Sequence, residues 1–199
     1  MIRPARKGLQ AAFVLLSAIG CLTAMPAAAG PLLDAATKAE EKAKSGDQIG
    51  AYDIMRTALG DFAATLPLTI RKGVFVADVP TAYGIYTPRA DSTFKPGEKL
   101  ITYVEPIGLT WKPADGGKMQ TNFTVDFELM DAKGEVLAGQ KTFGNFSFVG
   151  YVRNQEIFTH LTLDISGAAP GDYVLRYTLN DTGSNRNVKI DQPFKIAQK

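Results

Sequence analysis

Few residues in this chain could do chemistry. Its 199 residues include one histidine, His160, and one cysteine, Cys21. Cys–His nucleophilic catalysis needs both types in one folded unit, and zinc sites draw mostly on the same two. Neither can be assembled if Cys21 leaves with an N-terminal leader. A Ser–His–Asp triad would have to use His160, which lies in an alternating run. Ile157, Thr159, Leu161, Leu163 and Ile165 fall on one side, and Phe158, His160, Thr162 and Asp164 on the other. A histidine on the polar side of a strand reads as structural, and no serine stands in a Gly-x-Ser-x-Gly elbow.

Paired carboxylates offer a second chemistry. Asp126 and Glu128 would share one strand face about 6–7 Å apart along the chain, a spacing within the range of glycoside acid/base hydrolysis. Alternating polar residues on a solvent-facing strand produce such pairs routinely, so a hydrolase is the weaker alternative. Asp115, Asp131, Asp164, Asp172 and Asp181 lie in or near turns, but none falls in an Asp-x-Asp-x-Asp-Gly calcium loop. No catalytic residue, metal site or cofactor is expected.

What remains is aromatic surface. The stretch YGIYTPR, residues 83–89, brings Tyr83, Tyr86 and Arg89 together, and Phe94, Tyr103 and Trp111 follow closely in sequence. Tyrosine and tryptophan give large contact area at low entropic cost, suiting sugars and protein partners alike. Tyr83, Tyr86, Arg89, Tyr103 and Trp111 are therefore the candidate ligand- or partner-binding residues. The first expectation is nonetheless structural. The stretch ties an N-terminal helical element to a β domain, Pro80 and Pro88 hold it extended, Arg89 sits at its solvent edge, and the rings meet Tyr52, Phe62 and Leu66.

The elements that must position these residues divide the chain. Arg3, Arg6 and Lys7, an apolar run from Ala11 to Leu22, and Ala27-Ala28-Ala29 read as a signal peptide over 1–29 cleaved after Ala29. The alternative is a lipoprotein anchored at Cys21, because Ala18-Ile19-Gly20-Cys21 resembles a lipobox. Ordinary cleavage leaves 170 residues without cysteine. Removing three basic residues from the 22 leaves 19 against 20 Asp+Glu, a balance with no footprint for nucleic acid or anionic membrane. No later segment is long and apolar enough for a transmembrane span in the mature chain.

Residues 30–66 predict an α-helical hairpin. Pro31 suits a first turn, Ser45-Gly46-Asp47 breaks the run, and Tyr52, Met55, Leu59 and Phe62 recur at helical steps until Leu66-Pro67. Its pattern over 39–59 looks a little like a helical-repeat unit, but no second copy follows. Residues 67–93 are a connector with the first strand, and 94–199 a β-sandwich domain.

After residue 68 the hydrophobic period becomes two. Phe123, Val125, Phe127 and Leu129 alternate with polar residues, Asp131-Ala132-Lys133-Gly134 is a tight turn, and further runs stand at 71–79, 100–105, 135–143, 157–165, 173–179 and 188–194. The fold class expected is mainly β: an antiparallel sandwich of about seven or eight strands behind a helical hairpin.

FKPGEKL, residues 94–100, and APGDYVLRYTL, residues 169–179, resemble the Pro-Gly turns that enter strands in immunoglobulin-like and fibronectin-type modules of secreted bacterial proteins. The resemblance covers roughly residues 94–196 and implies that Tyr173 is a corner tyrosine whose hydroxyl bonds nearby backbone. It departs from strict immunoglobulin domains in lacking a Cys pair and in setting Trp111 in a loop. The order of motifs is also similar to periplasmic bacterial proteins with a hairpin ahead of a sandwich, a likeness that implies no activity. The function expected is a secreted, non-enzymatic protein of the cell envelope acting by contact with another envelope protein. The alternative is a carbohydrate- or small-ligand-binding module built on the aromatic cluster.

Overall fold

The helical element is built as its sequence directs. In the computed structural model, which describes residues 30–198, α1 spans Pro31–Lys44 and α2 Gln48–Thr65. The leader, its cleavage after Ala29 and Cys21 lie outside the described residues. Gly46 takes φ +85° in the turn, a left-handed conformation glycine reaches without steric cost. Asp47 caps α2 by accepting from the Gly50 amide at 2.9 Å. No helix among the described residues is long and apolar enough to cross a membrane.

The hairpin does not pack as the helical stripe led us to expect. Ala39 and Ala58 are its buried side chains between the helices, with Ala36 and Ile54 half-buried. Tyr52, Met55, Leu59 and Phe62 point outward and are 68, 43, 51 and 43% exposed. Periodicity places residues on one face but does not say what that face meets. Here alanines meet across the hairpin, and among the described residues no layer covers the large side chains.

The rest is two sheets. Strands β1 (Thr69–Phe75), β3 (Leu100–Ile107) and β7 (Thr159–Leu163) form an antiparallel sheet in the order β1-β3-β7. The second sheet takes β2 (Thr93–Phe94), β4 (Lys112–Ala114), β5 (Lys118–Asp131), β6 (Val136–Gly150), β8 (Gly171–Asp181) and β9 (Arg186–Ile196). Its order is β2-β9-β8-β5-β4, with β6 on the other side of β5, and only β2 runs parallel to its neighbour. The seven longer strands match the alternating runs; β2 and β4 are too short to leave a period in the sequence. The protein is mainly β, with two helices ahead of the sheets.

One core joins both sheets. Phe75, Leu100, Val104 and Leu161 from the first meet Phe123, Val125, Leu175, Leu179, Phe194 and Ile196 from the second. Phe75, Phe94 and Phe194 pack edge to face at 5.1–6.1 Å, the geometry ring quadrupoles favour. Two polar groups enter this core as a pair, the Thr102 hydroxyl donating to Gln192 Oε1 at 3.1 Å.

The hairpin joins this body at a narrow place. Arg153 reaches Asp61 of α2 at 2.5 Å, and Arg186 donates to the carbonyls of Leu66 at 3.2 Å and Gly108 at 2.7 Å. The Arg186 guanidinium is itself held by Asp181, whose side chain is fully buried. Asp181 also accepts from the Thr110 amide and hydroxyl, the Gly183 amide and the Ser184 hydroxyl, at 2.7–3.0 Å. Burial alone would raise its pKa, but these donors outweigh that and hold the carboxyl below its ordinary value.

Candidate functional site

The structure divides the predicted aromatic cluster into three places. Tyr83, Tyr86 and Tyr103 form the first. Their residues lie on the outer face of the β1-β3-β7 sheet, where the connector after β1 folds back over it. A bulge between Ile70 and Lys72 frees Arg71 from the strand register and turns its guanidinium toward Glu105. Glu105 is 1% exposed, and Arg71 gives this buried side chain its ion-pair partner. The Tyr103 hydroxyl completes the group, donating to Glu105 Oε1 at 2.6 Å and accepting from the Gly84 amide at 2.8 Å. Burial first, and then the Glu105 carboxylate, push the Tyr103 phenol far above its ordinary range.

Tyr86 stacks on Tyr103 with centroids 4.2 Å apart, and Phe158 stacks on Tyr103 at 5.6 Å. Arg71 reaches the Tyr83 hydroxyl at 3.0 Å, and Lys72 lies 5.7 Å over the Tyr86 ring. YGIYTPR is thus a strap locked onto a sheet face by a buried carboxylate. The hairpin does not cover it: this part of the expected seam is a lid made by the connector itself.

Arg89 and Trp111 are elsewhere. Arg89 lies 4.1 Å over the Phe94 ring, pairs with Glu98 at 2.5 Å and donates to the Thr93 carbonyl at 2.8 Å. Its side chain is 19% exposed, a structural staple at the entry to β2 rather than a solvent-edge cation. Trp111 is half-buried against the core and lines a cavity of about 110 Å³ with Gly60, Ala63 and Arg153. The hairpin meets the body there, so the seam exists at Trp111 and not at the tyrosines.

The other candidates sort as readily. His160 is exposed on the outer sheet face, opposite Tyr103 in register. Asp126 accepts from the Thr142 amide at 2.8 Å and from Lys141 Nζ at 3.0 Å. Burial would raise its pKa, yet these donors keep it below its ordinary value. A hydrolytic pair needs one carboxyl to hold a proton, and Asp126 is arranged to lose its own. Glu128 faces Arg176 at 3.9 Å, a guanidinium already bound in fork geometry by Asp191 at 2.7 Å. No group of three or more metal-ligating side chains is assembled among the described residues.

One feature escaped the sequence reading. β6 runs seven residues past the stretch expected for it and, among the described residues, pairs only with β5, leaving its outer edge without a strand partner there. At Thr142, where φ is +51°, a three-residue bulge opposite Asp126 divides it. Beyond the bulge Gly144–Gly150 pairs with β5 in unbroken register. From Thr142 to Val152 the chain has no charged residue and no proline, the two devices that most often blunt an edge strand.

No family profile matches this chain, and no curated protein matches it. Among solved structures, a family 123 glycoside hydrolase from Clostridium perfringens is similar at 9% identity and a TM-score of 0.38, over 67% of this chain and 28% of that one. The Pseudomonas fluorescens alkylpurine DNA glycosylase AlkC, bound to DNA containing an abasic site analog, is similar at 10% identity and a TM-score of 0.35, over 81% of this chain and 42% of that one. The chain spans less than half the length of either, and likeness at this level carries no functional inference.

Proposed function

We propose that this is a secreted, non-enzymatic protein of the bacterial cell envelope, an immunoglobulin-like sandwich that works by contact with another envelope protein. The observation that carries this reading is the open edge of β6 beyond its bulge, uncharged from Thr142 onward. Unpaired amides and carbonyls along Gly144–Gly150 offer a partner strand a full ladder of hydrogen bonds. Phe146 and Phe148, half-buried on the core side, offer it apolar contact.

The immunoglobulin-like assignment is supported by strand order. β1-β3-β7 corresponds to strands A, B and E, and β5, β8 and β9 to C, F and G, with β6 as the extra strand beside C. The Tyr173 hydroxyl donates to the Ala169 carbonyl at 2.7 Å, as a corner tyrosine does. The signal-like N-terminus supports export to the periplasm. A glycan site on Tyr83, Tyr86, Arg89, Tyr103 and Trp111 is less favoured. Sugar stacking needs an open ring face, and here one face of Tyr86 is spent on a buried Tyr103.

Site-specific photo-crosslinking in intact envelopes tests the reading. A photoreactive residue at Ser147 or Val149 is expected to trap one discrete protein, while the same group at exposed Lys189 traps none. No adduct from β6, together with Trp111 fluorescence that shifts on titration with envelope glycans, would replace it with the binding-module alternative.

A further inference from the structure

We infer that the exposed apolar face of the helical hairpin is a self-association surface, on which the hairpin of a second copy of this chain seats to complete a four-helix bundle. The inference uses no part of the β6 edge and goes beyond the function proposed above.

The stripe Tyr52, Met55, Leu59 and Phe62 occupies one side of α2, and at its far end Phe62 shares a groove with Leu32 of α1. Leu32 and Leu33 are themselves 43 and 60% exposed. At roughly 200 Å² per large apolar residue, the four stripe residues and Leu32 leave roughly 500 Å² open, over half of the ~800 Å² each partner gives to a standard interface. An exposed patch of this size on a small domain marks a contact surface.

The occupant follows from the hairpin's own construction. Alanines line the contact between α1 and α2 with Ile54 half-buried beside them, and the body meets α2 at its far end, at Gly60, Asp61 and Ala63. A hairpin in that condition gains its missing layer from another hairpin, as in antiparallel bundles. Charge favours a copy over a bilayer. Residues 31–65 carry six acidic and four basic side chains, whereas a helix lying on anionic lipid presents a basic polar face. Arg56, which borders the stripe 5.9 Å over the Tyr52 ring, is already paired with Asp53 at 2.8 Å. The charge bordering the stripe is therefore already met within the helix.

The test is sedimentation of the chain as its host processes it, at micromolar concentration. A dimer is expected, and Leu59→Glu should raise its dissociation constant roughly 30-fold or more with an unchanged circular dichroism spectrum. Met55→Cys should form a covalent dimer under mild oxidation, while Lys189→Cys should not. A monomer at every concentration overturns the inference, as does a dimer that survives Leu59→Glu. So does a monomer that floats with phosphatidylethanolamine–phosphatidylglycerol vesicles and loses this on Leu59→Glu. None of these results touches the β6 crosslink, so the two readings fail separately.

Discussion

The hairpin and the two-sheet body place their side chains in opposite ways. In the body, Phe94 and Phe123 are wholly buried and Phe75 and Phe194 nearly so, and the polar groups that enter the core are largely met by partners. In the hairpin Ala39, Ala58 and Ala63 are inside and the tyrosine, phenylalanine, methionine and leucines outside. The body is sufficient to itself, because each sheet supplies the surface the other needs. A pair of helices has no such second layer. Both α2 and β5 carry a repeat of large apolar residues, yet among the described residues only that of β5 finds its complement in the same chain.

Paired truncations put the greatest strain on this contrast. Phe94→Ala should cost about 3–5 kcal/mol, the range for emptying a core phenylalanine site, measured by urea denaturation followed through Trp111. Leu59→Ala, of similar apolar character, should cost under about 0.5 kcal/mol at concentrations where the chain is monomeric. Equal losses would mean that the hairpin stripe is covered within one molecule.

The junction comes next. Asp181→Asn leaves the shape but removes the charge that faces Arg186, and about 2–3 kcal/mol is expected to be lost at neutral pH. The pH dependence has a definite sign. The carboxyl is depressed in the folded protein, so its contribution is complete above the unfolded value near 4 and fades as pH falls through the lower folded value. The difference between wild type and Asp181→Asn should shrink on acidification below about pH 4. A difference independent of pH would show that the charge contributes nothing. The smallest effect is expected at the corner, where Tyr173→Phe should cost about 1 kcal/mol through the lost bond to Ala169, with no change in the hairpin's helical signal.

Much of this was legible in the sequence wherever a local rule decided the outcome. The Asp131 turn formed as read, with the carboxylate accepting from the Lys133 and Glu135 amides at 2.8 and 2.9 Å. The alternation in Phe123–Leu129 located a strand and its inner face. Readings failed where the outcome depended on distant partners. Asp181 read as a turn former, and it is one, but Thr110, 71 residues away, makes it a buried anchor as well. The five candidate binding residues were grouped by nearness in sequence, while a bulge, a strap and a two-residue strand distribute them over three sites. Glu105 was visible only as a charge in an apolar strand; nothing local announced that Arg71 would turn to meet it.

The Arg186 clamp also sets an order of events. It draws on Leu66, Gly108, Asp181 and the first residue of the last strand, so it cannot close until nearly the whole chain has been delivered. The hairpin, made only of local contacts, can fold as soon as it emerges. Between those moments it is an unfastened element still without its second layer, free to turn and to meet its neighbours. The last strand to arrive decides where the first folded element points.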